Sequence, residues 1–161
     1  MGAPVFIENS QLTTLSRLVE VGPVAIPGIG TGAAYAAGEQ MGRLARVRVP
    51  KRGVILECKF HDLDDEGLGK EVWFFLSPSI TLAADNDAFS LAPADITKAR
   101  MVFDNFTFFD AVNCQIGASA RAPAYYETRN GLLYFAVKTL GADNIAAGAI
   151  PQVSLIIGEY V

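Results

Sequence analysis

Histidine, tryptophan and cysteine are scarce in this sequence. One histidine, one tryptophan and two cysteines occur among 161 residues. Cys58 and Cys114 have no second pair beside them and form no C-x-x-C motif. This usage favours buried free thiols over a disulfide.

Charged residues are also few. They make up 19% of the chain, against roughly 25% in an average soluble protein, and 51% of the residues are hydrophobic. Much of the surface must therefore be neutral or covered by contacts, which indicates assembly, for example into a homo-oligomer. The formal charge of -4 and the pI near 4.9 argue against direct nucleic-acid binding, which needs a clustered positive surface.

Long apolar runs are missing as well. No segment approaches the roughly 18 to 20 residues that cross a bilayer, and no basic segment followed by an apolar stretch opens the chain. We therefore expect a protein that is made in the cytosol and has no membrane partner. The length suits one domain that buries a core without disulfides.

What the sequence does contain is a series of short apolar segments. Residues 54–60 alternate, with Val54, Leu56, Cys58 and Phe60 on one face, and the segment 71–76 is apolar on both faces from residue 72 to residue 76. These two segments are predicted to form a central hairpin through the acidic turn at residues 61–69. Further strands are predicted at residues 43–49, 101–109 (broken near 104–105), 121–127, 132–138 and 153–157, with one short helix at residues 93–99.

About seven strands and one short helix predict an all-β fold, either an antiparallel β-sandwich or a partly open β-barrel. Asn130-Gly131 is predicted to close a hairpin between two late strands. Residues 1–30, with several prolines and glycines near their end, are predicted to form an extended N-terminal arm. Residues 11–21 fit either a short helix or a strand, and residues 31–161 form the predicted single β domain.

Five basic residues gather between positions 43 and 52, beside a predicted strand end at Pro50. A nucleic-acid strip is one interpretation, and a solvated edge strand or a salt-bridged subunit contact is favoured over it. The apolar residues of the arm are the other candidates for a contact surface. The predicted interface residues are Val5, Phe6, Ile7, Leu12, Leu15, Arg43, Arg46 and Arg48.

Catalytic patterns are weak. His61 lacks a nucleophile-elbow motif such as G-x-S-x-G beside it, so a surface histidine at a strand end is favoured over a hydrolytic triad. Glu57 and Glu71 would face one another across the predicted hairpin, but nothing in the sequence indicates a pocket around them. No catalytic residue is predicted, and the chain is not expected to be an enzyme.

Binding motifs for cofactors and metals are equally weak. Residues 62–67 resemble the start of a calcium loop, but the twelfth position is Trp73, so a solvated loop is favoured. Residues 28–33 fit G-x-G-x-x-A without the strand and helix that a dinucleotide site requires. We therefore predict no cofactor, no metal ligand and no small-molecule substrate.

Three segments carry a resemblance to a known group of proteins. They are residues 34–42 (AYAAGEQMG), 74–78 (FFLSP) and 84–95 (ADNDAFSLAPAD), and the GLLY run at 131–134 is similar too. In this order they resemble motifs of small virion structural proteins of tailed bacteriophages, several of which decorate the capsid. The sequence departs from the pattern at Glu39, where aspartate is usual, and in the long arm before residue 31.

The resemblance implies a capsid decoration or cement protein on the virion surface, synthesised in the host cytoplasm and bound in many copies across major capsid protein subunits. The arm would then add a strand to a sheet edge or lie in a groove. A head-completion or tail-associated virion protein is one alternative. A small-ligand-binding β-barrel, with its cavity against residues 72–76 and 132–137, is another.

Overall fold

The computed structural model describes residues 15–30 and 32–160. Within these ranges the chain forms nine strands and one helical turn. They are β1 (Leu15–Ala25), β2 (Gln40–Arg48), β3 (Arg52–Asp62), β4 (Lys70–Phe75), α1 (Pro93–Ile96), β5 (Ala99–Phe103), β6 (Thr107–Asp110), β7 (Gln115–Glu127), β8 (Leu132–Thr139) and β9 (Gln152–Tyr160).

The strands form two antiparallel sheets that pack face to face. One has five strands in the order β1-β9-β3-β7-β6, and the other has four in the order β2-β8-β4-β5. The two sheets are a sandwich and do not close into a barrel. The predicted all-β class and the predicted short helix, with Pro93 in its first turn, are confirmed.

The main core fills the space between the sheets. Alternate residues of the strands point into it, as the period-2 pattern requires. Burial of each large apolar side chain contributes about 1.5–3 kcal/mol. Its fully buried members include Phe60, Val72, Phe74, Leu133, Leu155 and Ile157.

A second apolar cluster lies on the outer face of the four-stranded sheet. Phe75 and Tyr134 are buried there beneath side chains of the long connection between β4 and β5, including Leu82 and Phe89. Both faces of β4 are therefore covered. This confirms the interpretation of residues 72–76 as a strand packed on two sides, except that β4 ends at Phe75.

The predicted central hairpin is wrong. β3 pairs with β7 and β9, whereas β4 pairs with β5 and β8 in the other sheet. The Asn130-Gly131 turn likewise joins strands of different sheets, β7 and β8. Alternation and turn residues act locally and mark where strands end, whereas strand partners are chosen by contacts between residues far apart in the sequence. Glu57 and Glu71 therefore lie in different sheets.

A β-bulge changes the predicted facing of β3. The pairing of β3 with both neighbours shifts between Ile55 and Glu57, which turns Ile55 into the main core beside Cys58 and Phe60. The prediction placed Ile55 on the opposite face from those two residues. The extra residue at a bulge reverses the alternation on one side of it.

The other strand predictions agree better with the structure. In β2 the core-facing residues Ala45 and Val47 alternate with exposed Arg46 and Arg48, as predicted. The predicted break in residues 101–109 separates β5 from β6, which lie in different sheets. The last strand, β9, lies between β1 and β3.

Residues 15–25 form a strand, although their sequence pattern fits a short helix as well. This strand, β1, is the edge of the five-stranded sheet and pairs with β9 from Leu15 opposite Tyr160 to Ala25 opposite Gln152. The predicted boundary between arm and domain at residue 30 remains a prediction. The part of the arm before residue 15 lies outside the described residues.

Three connections cross between the two sheets at one end of the sandwich, which we call the crossover end. They are residues 26–39, 63–69 and 140–151. Backbone hydrogen bonds tie them together: Tyr35 N–H donates to the Asp143 carbonyl over 2.7 Å, and Leu140 N–H donates to the Gly69 carbonyl over 2.8 Å.

Candidate functional site

The structure places only part of the predicted interface. Val5, Phe6, Ile7 and Leu12 lie outside the described residues. The backbone of Leu15 starts β1. The three predicted arginines, Arg43, Arg46 and Arg48, all lie on β2, which is an edge strand of the four-stranded sheet.

These arginines make the β2 edge positively charged. All three side chains are exposed, and none forms an ion pair with any residue that the structure describes. Arg52, by contrast, pairs with Glu127 over 3.3 Å. An uncompensated basic strip stands out on a chain of net charge -4.

Part of the β2 edge has an open backbone. Val49 N–H donates to the Gly131 carbonyl on the β8 side over 2.9 Å. Because backbone groups alternate along a strand, the N–H and C=O groups of Arg46 and Arg48 face away from β8. The start of β2 is covered instead, since Arg43 N–H donates to the Pro27 carbonyl over 2.7 Å.

An apolar cleft adjoins this open edge. The end of β1 approaches β2 without pairing with it, and a cleft of about 460 Å³ at this approach is lined mainly by Val24, Pro27, Leu44, Arg46, Pro78 and Tyr134. We call it the seam cleft. Arg46 is the charged residue of its lining, so the cleft presents an apolar floor with one cation at its rim.

The opposite edge of the same sheet is partly covered. Arg121 of β7 reaches over to β5, where it donates to the Val102 carbonyl over 3.1 Å and pairs with Asp104 over 2.7 Å. Ser119 also donates to the Asp104 carbonyl. The two edges of the four-stranded sheet therefore differ: side chains of β7 contact the β5 edge at residues 102–104, and the β2 edge is open at residues 44–48.

Asp85 fastens the long β4–β5 connection to the crossover end. Its Oδ1 accepts hydrogen bonds from the Tyr35 hydroxyl and the Gly42 N–H, each over 2.6 Å. Its Oδ2 accepts a third from the Gly30 N–H over 3.3 Å. Tyr35 is buried, and burial together with the Asp85 carboxylate raises the pKa of its hydroxyl.

Backbone hydrogen bonds extend this contact. Gln40 N–H donates to the Asp87 carbonyl over 2.8 Å, and Asn86 N–H returns a bond to the Gln40 carbonyl over 2.9 Å. Phe89 N–H donates to the Gly38 carbonyl over 2.9 Å. We call this set of contacts, together with those of Asp85, the Asp85 latch.

Gly42 has to be glycine in the latch. Its φ of +67° lies in the left-handed region. A Cβ there would also approach the Pro27 carbonyl oxygen to 2.6 Å. The close approach of residues 26–27 to the bulged start of β2 therefore depends on this residue.

His61 has a partner that sequence reasoning missed. Its Nε2 lies 2.8 Å from the Ser154 hydroxyl across the β3–β9 pairing. Ser154 is buried at 1% exposure, so this pair joins two strands. The predicted strand-end position of His61 is confirmed, since β3 ends at Asp62, but its side chain is half-buried, where a surface position was predicted. The two residues are 93 positions apart, and nothing local in the sequence connects them.

We expect the free energy of unfolding to fall as the pH is lowered through about 6.5. Burial is the largest cause of a lowered pKa for His61, Lys59 adds to it, and Glu20 opposes it. The unfolded chain then binds a proton at a higher pH than the folded chain, so acidification favours unfolding. Urea unfolding between pH 5 and pH 8 measures this, and His61→Gln should flatten the slope near pH 6. An unchanged slope in that variant would contradict the assignment.

The acidic turn is more ordered than a solvated loop. Asp62 is buried, and its carboxylate accepts the N–H groups of Asp64 and Gly67 over 3.0 and 2.7 Å. Asp64 in turn accepts the Ala146 N–H. In the part of the chain that the structure describes, no three His, Cys, Asp or Glu side chains are grouped to hold a metal ion.

Both cysteines are free, as predicted. Cys58 is fully buried, and burial, with a smaller effect of Glu57, raises the pKa of its thiol. Cys114 is only partly buried, so the prediction of burial holds for one of the two.

An exposed apolar tip was also missed. Phe106 and Phe108 pack against Phe60 as expected for core aromatics, but Phe109 is 59% exposed and Val112 in the β6–β7 turn is 78% exposed. Val112 has a φ of +78°, which is unusual for a β-branched residue. The alternation of Phe108 and Phe109 is the sequence signal for this difference in exposure.

Comparisons with protein-family models, with curated proteins and with solved structures found no match. Among the described residues, no helix has the length and apolar character to cross a membrane.

Proposed function

We propose that this chain is a virion structural protein of a tailed bacteriophage that decorates and stabilises the capsid by binding across major capsid protein subunits. One observation supports the proposal most. The segments that resemble virion proteins, residues 34–42 and 84–95, meet in the Asp85 latch, and residues 74–78 lead into the connection that the latch fastens. The segments that carry the resemblance therefore contact one another in this structure.

Decoration requires binding and no chemistry. A protein that binds the assembled shell but not its dissociated subunits stabilises the shell by mass action, even with modest affinity for each copy. The open β2 edge and the exposed tip at Phe109 and Val112 provide surfaces for such contacts. The proposed partners are major capsid protein and other copies of this chain.

The copy number in purified virions tests this proposal. Quantitative mass spectrometry would compare this chain with the major capsid protein. We expect a ratio near that of the shell lattice. A handful of copies would place the chain at the neck or tail as a head-completion or tail-associated protein, and its absence from virions would overturn the proposal.

Removal of residues 1–14 is expected to weaken shell binding at least tenfold while the melting temperature stays within a few degrees. The cut belongs at residue 14 because β1 begins at Leu15 and pairs with β9 along its length. Co-sedimentation with emptied shells measures binding. A chain with residues 2–14 in scrambled order is the matched control and should bind as weakly as the truncated chain. Full binding by the truncated chain would exclude the arm as a contact.

A further inference from the structure

We propose that the open edge of β2 is a docking groove for an extended acidic segment of a partner protein. The segment adds as a strand beside residues 44–48 and places an apolar side chain in the seam cleft. The inference deepens the proposed function and rests on it for the identity of the partner, a segment of the major capsid protein.

The backbone of β2 supplies the first argument. The N–H and C=O groups of Arg46 and Arg48 face away from β8, and no described strand pairs with β2 on that side. An unpaired edge is a template for strand addition, in which main-chain hydrogen bonds give affinity. At the other edge of the sheet, by contrast, Arg121 donates to the Val102 carbonyl.

The positive charge of the β2 edge indicates that the docking strand is acidic. The exposed guanidinium groups of Arg46 and Arg48 have no carboxylate partner among the described residues, on a protein whose net charge is negative. Guanidinium groups pair with carboxylates through two parallel hydrogen bonds. A basic or neutral strand would leave them uncompensated, whereas an acidic strand neutralises both.

The spacing along β2 defines the pattern of the partner. Leu44, Arg46 and Arg48 are two residues apart and project to the same face. Leu44 and Arg46 line the seam cleft, and Arg48 lies beyond it. The complementary strand therefore carries an apolar side chain opposite the cleft, with carboxylates two and four residues along on the same face.

Charged residues also protect edge strands from aggregation, and this role requires no neighbouring cavity. The β2 edge is bordered by an apolar cleft of about 460 Å³ that continues from the end of β1 to Tyr134. An exposed apolar cleft beside an open edge favours docking over simple protection.

The test uses the full chain and a fluorescein-labelled peptide of sequence TFTETETS. We expect saturable binding in fluorescence anisotropy, and binding at least about tenfold weaker for the peptide with lysine in place of glutamate. Arg46→Gln and Arg48→Gln should each weaken binding about two- to fivefold, and added salt should weaken it further. Arg100→Gln, an exposed arginine on the partly covered β5 edge, is the matched control and should have no effect.

Hydrogen exchange distinguishes strand addition from loose charge attraction. Bound peptide should slow exchange at the Arg46 and Arg48 amides and leave the Arg100 amide unchanged. The proposal is overturned by failure of the acidic peptide to bind, by equal binding to the Arg46 and Arg48 variants, or by unprotected amides. It is also overturned if removing residues 1–14 raises peptide affinity more than tenfold, because the chain's own arm would then compete for the groove.

The peptide experiment contains no shell. A chain that is absent from virions but binds the peptide as expected would overturn the proposed function and leave the groove in place. A chain that is present in virions at lattice copy number but does not bind the peptide would support the proposed function and overturn the docking groove.

Discussion

Replacement of Lys70 by methionine is expected to lower the free energy of unfolding by about 3–5 kcal/mol. The Lys70 ammonium lies 2.9 Å from the Asp143 carboxylate, and each side chain is 1% exposed. The variant would leave the carboxylate buried without a cation, which is the costly half of a broken ion pair. Urea unfolding followed by circular dichroism measures the loss.

The position of this ion pair explains why its loss should destabilise the whole sandwich. Lys70 is the first residue of β4, and its ammonium also donates to the Leu68 carbonyl over 2.7 Å. Asp143 lies in the next crossover connection and accepts a hydrogen bond from the Thr139 hydroxyl. One buried charge pair therefore joins two of the three connections at the crossover end.

Two variants control the experiment. Lys138 pairs with Glu71 over 3.3 Å, with side chains 28% and 21% exposed, so Lys138→Met should cost at most about 1 kcal/mol. The double variant Lys70→Met, Asp143→Leu removes both charges and should recover most of the stability. Equal losses for Lys70→Met and Lys138→Met would mean that burial adds nothing to this interaction.

The sequence predicts where most strands lie but not how they pair. Alternation marks β2 and the break between β5 and β6, and apolar residues on both faces mark β4. The pairing of β3 with β7 and β9, by contrast, joins residues such as Val54 and Tyr125. No local pattern encodes such a choice, and the acidic turn after β3 suits a hairpin and a crossing between sheets equally well.

The candidate groove is also only partly predictable from the sequence. The charge run at Arg43, Arg46 and Arg48 is visible in the sequence and predicts a contact. Its open backbone and its apolar floor are not visible, because the first depends on β2 pairing with β8 alone and the second on the end of β1 lining the cleft. The Asp85 latch is also non-local, since Tyr35 and Asp85 are 50 positions apart.

Replacement of Asp85 by alanine is expected to cost about 2–4 kcal/mol and to loosen residues 84–89 from the start of β2. The change removes the acceptor of three hydrogen bonds, two of them at 2.6 Å. A hydrogen bond to a charged group contributes about 1.5–3 kcal/mol, but these three share one partly exposed carboxylate, so solvent screening makes their total smaller than the sum. It also leaves the buried Tyr35 hydroxyl without its partner. Tyr35→Phe removes one of the three bonds and should cost about 1–2 kcal/mol.

The single tryptophan reports whether the loss is local. Trp73 packs against Phe89 with ring centroids 5.5 Å apart, so release of residues 84–89 exposes it. Native Asp85→Ala protein should show red-shifted Trp73 emission and stronger acrylamide quenching below the unfolding transition. Asp87→Ala is the matched control, because Asp87 contributes its backbone carbonyl to the latch, and it should stay within about 0.5 kcal/mol of the parent chain.

The two readouts separate a latch from an ordinary stabilising contact. A loss of stability without a change in Trp73 fluorescence would mean that Asp85 stabilises the sandwich as a whole and that other contacts hold residues 84–89 in place. A Trp73 shift with little loss of stability would mean that residues 84–89 open independently of the core. Both effects together are expected, because the latch joins residues 84–89 to β2. The inward-facing residues of β2 pack into the main core, so a change at the latch should reach both.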